Sequence, residues 1–397
     1  MEERKVFWIG NGRTVFPDRV VKDGSVLVED GKIRAVNEPC PEHVEKVDAE
    51  GGYILPGFID LHVHGGGGAD FMDAEPDSFA TVARAHCRHG TTALCPTTMT
   101  CGDSHLEKVI GCYLDAAKRP TGGAELLGLH LEGPFFSTAG RGAQPVGEQR
   151  TPTREMLERI LRLGEEKIVR WDEAPELPGT DVFAAVMREH GVMASIAHTA
   201  GMARECYAAL ERGFTHVTHF LCATNWSKKI DGWTYGGMNE AILLRDDVTV
   251  EVICDGRHIP KELLLLAYKM KGAGRMALIT DAMRAAGTQA TTSILGGKQD
   301  GVPVLIKDGV AQVMDLSVFA GSIGTMDRAF RVAHQDFEIS LIDTSCMLSA
   351  TPAKIIGCYD RKGSLTVGKD ADIVLMDPDF NVRSVYTCGR RFTDDEP

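Results

Sequence analysis

Hydrophobic and polar positions follow two rhythms along this chain. From about residue 5 to 53, short apolar-polar alternations are cut by turn residues, as in Val26-Leu27-Val28-Glu29-Asp30-Gly31-Lys32-Ile33. Asp-Gly between alternating apolar positions predicts a two-residue hairpin. The stretch 363–392 has the same texture. Between them, short apolar runs alternate with longer segments of helical period, the pattern of parallel strands joined by crossover helices. Strand candidates fall at 53–60, 92–96, 126–131, 167–171, 192–197, 216–218, 249–253 and 276–280. Eight such strands close a barrel. The expectation is an α/β protein with a (β/α)8 TIM-like barrel over 56–355 and a small β-sandwich domain built from both termini, 1–55 and 356–397.

The polar residues that carry chemistry fall at the C-terminal ends of these strands, the end that holds the active site in such barrels. His62 and His64 follow the first strand, and side chains two apart on a strand point the same way, so the pair can grip one ion. The glycine run 65–68 after them lets backbone approach a ligand closely. Glu132, His198, His219, His258 and Asp281 end later strands. One such residue alone is more often a cap or a satisfied core group, but together they outline a site. His62, His64, His198 and His219 with Glu132 suit a divalent ion, zinc first, with iron, manganese or cobalt as alternatives, and one or two ions. Such an ion lowers the pKa of a water, the expected nucleophile. Asp281 is placed to accept that water's proton, although it would also suit the N-cap of a following helix.

Composition narrows the class. The chain has 397 residues, 43% of them hydrophobic, enough for a sizeable core, and no apolar run of membrane-spanning length. The opening Met1-Glu2-Glu3-Arg4-Lys5 lacks the apolar stretch of a secretion signal, so a cytoplasmic protein is expected. The eleven cysteines show no C-x-x-C spacing, which fits reduced thiols. A formal charge of -13 without a basic patch argues against a nucleic-acid partner.

Several segments carry a family resemblance. Pro56-Gly57-Phe58-Ile59-Asp60-Leu61-His62-Val63-His64-Gly65, His130-Leu131-Glu132-Gly133-Pro134-Phe135, Ala197-His198-Thr199-Ala200-Gly201, Thr218-His219-Phe220-Leu221, Cys254-Asp255-Gly256-Arg257-His258, Ile279-Thr280-Asp281-Ala282-Met283 and Ala320-Gly321-Ser322 occur in the order found in the N-acetylglucosamine-6-phosphate deacetylase family of the amidohydrolase superfamily. Ser349-Ala350-Thr351-Pro352-Ala353-Lys354 and the segment from Lys362 to Asp372 resemble the superfamily's return to its small β domain. The resemblance implies metal-dependent removal of the acetyl group from N-acetylglucosamine 6-phosphate, giving glucosamine 6-phosphate and acetate. It implies Glu132, His198 and His219 as ligands of one ion, His62 and His64 as ligands of a second, and Asp281 as general base and then acid. Ala143, Gln144, Cys222, Ala223, Asp255, His258, Phe319, Ala320 and Gly321 match positions around the sugar, and a homodimer is implied.

The chain departs from that pattern in the loop 222–235, which has no arginine where the family places one to hold the phosphate. Lys228 and Lys229 could replace it as point charges. Trp226, Trp233 and Tyr235 could stack on a sugar face, pack the loop, or meet a second subunit. Gln144 stands where many members have histidine. The alternatives are a deacetylase of another N-acetyl hexosamine (galactosamine, mannosamine or an unphosphorylated sugar), another amidohydrolase, or a non-catalytic relative. Strand four lacks the lysine that cyclic-amide hydrolases carbamylate, since its end reads Trp171-Asp172-Glu173, and His198-Thr199-Ala200-Gly201 lacks the glutamate of the deaminases.

Overall fold

The computed structural model describes residues 6–145 and 147–394. Its centre is a barrel of parallel strands, Phe58–Val63, Thr91–Pro96, Leu129–Phe135, Ile168–Glu173, Met193–Ile196, His216–Val217, Thr249–Ile253 and Met276–Ile279. Most neighbours pair by regular parallel ladders; strands two and three meet through Thr97 and His130. The circle closes between strands eight and one, where the Asp281 N–H donates to His62 O at 2.9 Å and the His64 N–H to Ala282 O at 2.8 Å. The closure itself therefore brings Asp281, after strand eight, beside the histidines of strand one.

All eight expected strands are present, but the third is split into Glu125–Leu126 and Leu129–Phe135, and the first is also two elements. Tyr53–Pro56 pairs with the terminal sheet, and Phe58–Val63 enters the barrel. Gly57 makes the step between them: a β carbon there would lie 2.1 Å from Thr92 Oγ1. His62 and Glu132 also lie within their strands rather than beyond them, because each strand runs further than its apolar run.

Strands from both ends of the chain form one mixed sheet of eight strands. Its second hairpin joins Val20–Glu29 to Lys32–Val36, and Asp30 (φ 48°) and Gly31 (φ 79°) both take the left-handed backbone that the Asp-Gly turn requires. Phe7, Ile9, Val26, Val28, Ile54, Ile373, Leu375 and Tyr386 form its own core. The rings of Phe7 and Tyr386 lie 5.2 Å apart although two other strands separate theirs in the sheet, so the sheet curls on itself. Where two stacked sheets were expected, one continuous curled sheet encloses the core.

Two further elements were not foreseen. A four-stranded antiparallel sheet, Thr292–Leu295, Val302–Lys307, Val310–Val313 and Phe319–Ser322, follows barrel strand eight, and a short hairpin, Lys228–Ile230 with Trp233–Tyr235, rises from the loop after strand six.

The terminal sheet is tied to the barrel by Lys362, whose side chain is fully buried. Its Nζ lies 2.6 Å from Asp372 Oδ2, 2.8 Å from Glu125 Oε2 and 3.1 Å from Asp370 Oδ2. Burial works against the ammonium, but Asp372 and Glu125 more than offset it and hold its pKa above the usual lysine range. Glu125, Asp370 and Cys388 could by themselves be taken for a cation cluster; here the lysine fills that place. Replacing Lys362 by Met leaves buried Asp372 without its cation, while Glu125 and Asp370 keep Arg361. The expected loss is about 3–5 kcal/mol of stability, the range for breaking a buried pair from one side; equilibrium urea unfolding measures it, and an unchanged midpoint would refute the role.

Candidate metal centre

Five side chains from four strand ends converge on one point. Glu132 Oε1 lies 2.9 Å from both His198 Nε2 and His219 Nε2, and Oε2 lies 3.3 Å from His64 Nε2. His62 Nε2 is 3.2 Å from His64 Nε2 and 3.7 Å from Glu132 Oε1. These residues form two overlapping sets, His62 with His64 and Glu132, and Glu132 with His198 and His219. Asp281 completes the ring, its Oδ1 3.2 Å from His64 Nε2 and 3.4 Å from His62 Nε2.

The outer nitrogens show how the inner ones are presented. His198 Nδ1 lies 3.0 Å from Gly140 O, His64 Nδ1 3.3 Å from Thr97 O and His62 Nδ1 2.8 Å from Glu251 Oε1. Each partner can only accept, so each Nδ1 carries the proton and each Nε2 turns a lone pair inward. The lone pairs so presented by His62 and His64 face each other at 3.2 Å and repel unless something positive sits between them.

The electrostatics agree. Burial pushes Glu132 up, but His198 and His219 hold its carboxyl well below the usual range. Burial likewise opposes the charge on Asp281, and His62 and His64 lower its pKa. Burial pulls His219 down, yet Glu132 raises it to about 9. The pocket demands positive charge, and nitrogen donors with carboxylate oxygen suit a divalent ion of the first transition row or zinc.

The local backbone is strained to achieve this. His198 (φ 46°), His219 (φ 28°) and Asp281 (φ 48°) all adopt left-handed conformations, which cost about 1–3 kcal/mol each and persist only where surroundings enforce them.

Beneath the ligands the barrel interior is polar. Arg170 donates to Glu251 with Nη1–Oε2 at 2.5 Å and Nη2–Oε1 at 3.1 Å, and its Nη2 lies 2.7 Å from His130 Nδ1. His130 Nε2 in turn lies 2.8 Å from Asp172 Oδ2, and Thr218 Oγ1 donates to Asp172 Oδ1 at 2.9 Å. Sequence reasoning passed over Arg170, Asp172 and Glu251. The signal was there: charged residues inside otherwise apolar, β-branched strands, Ile168–Glu173 and Thr249–Ile253.

A cavity of about 380 Å³ opens onto the centre. Ala143, Gln144, Cys222, Ala223, His258, Phe319 and Gly321 line it, as do His64, Glu132, His198, His219 and Asp281. Gln144 donates to Glu132 Oε2 at 2.7 Å and accepts from the Thr100 N–H at 3.0 Å. Asp255 lies under the wall, its Oδ2 2.8 Å from His258 Nδ1, and Ala320 is buried between its two neighbours. Lys228, Lys229 and Trp233 are exposed on the hairpin and are not part of the wall. Leu316, Ser317 and Val318, from the inserted sheet, are wall residues that the sequence did not single out.

A parallel barrel whose strand ends gather four imidazoles and two carboxylates defines a metal-dependent hydrolase. The chain belongs to the Amidohydrolase family, whose model matches residues 53–391. It is 32% identical over 374 residues to the N-acetylglucosamine-6-phosphate deacetylase of Lysinibacillus sphaericus, covering 92% of each chain. It is 29% identical over 370 residues to the N-acetylgalactosamine-6-phosphate deacetylase of Escherichia coli O157:H7, covering 93% of this chain and 94% of the relative. The crystal structure of N-acetylglucosamine-6-phosphate deacetylase from Pasteurella multocida superposes with a TM-score of 0.89 at 27% identity, covering 97% of this chain and 99% of that one.

His198→Ala removes one of the three donors of its set and should lose the ion and turnover together. Elemental analysis of the purified variant checks this, and full metal retention would contradict the ligand set.

Proposed function

We propose that this protein removes the acetyl group from N-acetylglucosamine 6-phosphate, giving glucosamine 6-phosphate and acetate. The observation that carries the reading is the position of Asp281, in contact with His62 and His64 at the mouth of a cavity of sugar size. Relatives named as amino-sugar phosphate deacetylases along most of their length support it.

Glu132, His198 and His219 would hold one divalent ion, zinc in the first instance, and His62 and His64 with Glu132 a second. Bound there, the ion supplies Lewis-acid polarisation of the acetyl carbonyl and a lowered pKa for the attacking water. Asp281, kept ionised by the neighbouring imidazoles, accepts that water's proton as the carbon–oxygen bond forms. It returns the proton to the sugar nitrogen as the carbon–nitrogen bond breaks. Gln144 steadies Glu132, and Asp255 orients His258 toward the cavity. Ala143, Cys222, Ala223, Phe319 and Gly321 frame the sugar.

The phosphate handle is His258; Lys228 or Lys229, exposed on the hairpin outside the wall, would join it only beyond the cavity's rim. An unphosphorylated N-acetyl hexosamine is the second reading, because no lysine or arginine lines the cavity among the described residues. The same reading makes the protein a cytosolic homodimer. None of the helices among the described residues is long and apolar enough to cross a membrane, and Trp233, 74% exposed, with Ile230 and Tyr235 offers an apolar surface to a second subunit.

Acetate release from N-acetylglucosamine, N-acetylgalactosamine and N-acetylmannosamine, each with and without 6-phosphate, tests the assignment. Equal efficiency with and without phosphate would overturn the phosphorylated substrate. Asp281→Asn should lower turnover by roughly two to four powers of ten with metal still bound, the contribution of a general base; near-normal turnover would place the base elsewhere. Changing Lys228 and Lys229 together to alanine should weaken the phosphorylated sugar selectively, because charge-assisted hydrogen bonds are worth about 1.5–3 kcal/mol each. Equal weakening of both sugar forms would exclude a phosphate contact.

A further inference from the structure

We propose that Glu251, steadied by Arg170, is a positioning residue that sets how firmly the His62–His64 side of the centre takes up a cation. Glu251 sits in the middle of barrel strand seven and is fully buried. Its Oε1 lies 2.8 Å from His62 Nδ1. Both of its oxygens are also engaged by Arg170 of strand four, so the pair spans the barrel interior. Arg170 is fixed in turn by His130 Nδ1 at 2.7 Å and Leu61 O at 3.2 Å.

The histidines of the centre are not held alike. His64 and His198 rest on backbone carbonyls, and His219 Nδ1 is buried with no hydrogen-bond partner among the described residues. Only His62 rests its outer nitrogen on a carboxylate. A carboxylate partner fixes the imidazole tautomer and raises the basicity of the opposite nitrogen more than a neutral carbonyl does. Glu251 therefore makes His62 the stronger donor of its pair and aims it. Arg170 keeps the carboxylate from turning away, because the guanidinium holds both oxygens in one plane. The effect falls on one side of the centre, since the other set, Glu132, His198 and His219, has no side-chain contact with Glu251 closer than the 3.4 Å from the His219 backbone N–H.

The proposal rests on the reading above that the centre takes two divalent ions. Cobalt(II) titration of the metal-free chain, with elemental analysis and the visible spectrum of bound cobalt, measures both sites independently of any sugar. Glu251→Gln keeps an acceptor for His62 but turns an amide N–H toward Arg170, and the paired change of Glu251→Gln with Arg170→Met removes both charges should the single variant fail to fold. The expected result is a second cobalt equivalent weakened about 10–100-fold, the usual cost of losing a ligand's outer partner, with the first equivalent unchanged. Nitrogen-15 NMR of the metal-free chain should show the His62 Nδ1–H signal shifting, as its hydrogen bond to a carboxylate becomes one to a neutral amide, while that of His64 stays unchanged. Unchanged binding of both equivalents overturns the proposal. So does equal weakening of both, the mark of a merely structural role, and so does a parent chain that binds one cobalt. Failure to release acetate from any sugar, with the cobalt result intact, would sink the substrate reading and leave this one standing.

Discussion

Everything in the centre depends on one buried carboxylate. Glu132 divides its oxygens, Oε1 to His198 and His219 and Oε2 to His64 and Gln144, so strands one, three, five and six and the loop after strand three all meet at a single group. A lone buried anion would be costly to desolvate. Here three imidazoles and the Gln144 amide partner its oxygens, and the barrel's closure and the left-handed backbones at His198 and His219 bring those groups within reach. The fold tolerates the strain because each of these residues follows a strand anchored in the barrel.

The polar interior has the same logic one layer down. Barrel interiors are usually filled by branched apolar side chains, whereas this one carries an ion pair, two histidines and an aspartate across its width. A cluster of this kind, once fully partnered, is rigid and specifies one arrangement. Burial raises Asp172 to about 6 and Asp60 to about 7 even with their partners in place, which shows how little solvent reaches this layer.

Much of the architecture was legible in the sequence because it is local. The eight strands announce themselves as short apolar runs, and the Asp-Gly turn at 30–31 takes the backbone its residues dictate. What escaped was non-local. Glu251 is 189 residues from His62 and 81 from Arg170, so no spacing rule connects them. The step at Gly57 and the curl of the terminal sheet are likewise set by contacts with distant strands. Which way the hairpin 228–235 turns is not written in its composition, and it leaves Lys228, Lys229 and Trp233 exposed.

The inserted sheet also ties two parts of the site together. Its last strand, Phe319–Ser322, runs back against the barrel with the Ser322 N–H on Asp281 O at 2.7 Å and the Met283 N–H on Ser322 O at 2.8 Å. The cavity wall and the backbone of Asp281 are thus rungs of one ladder. A substitution in that strand would therefore shift the backbone of Asp281 as it reshaped the cavity. The turn that carries the exposed wall residues Leu316 and Val318 stands off that ladder, so the Val318 side chain can reshape the cavity while Asp281 keeps its place.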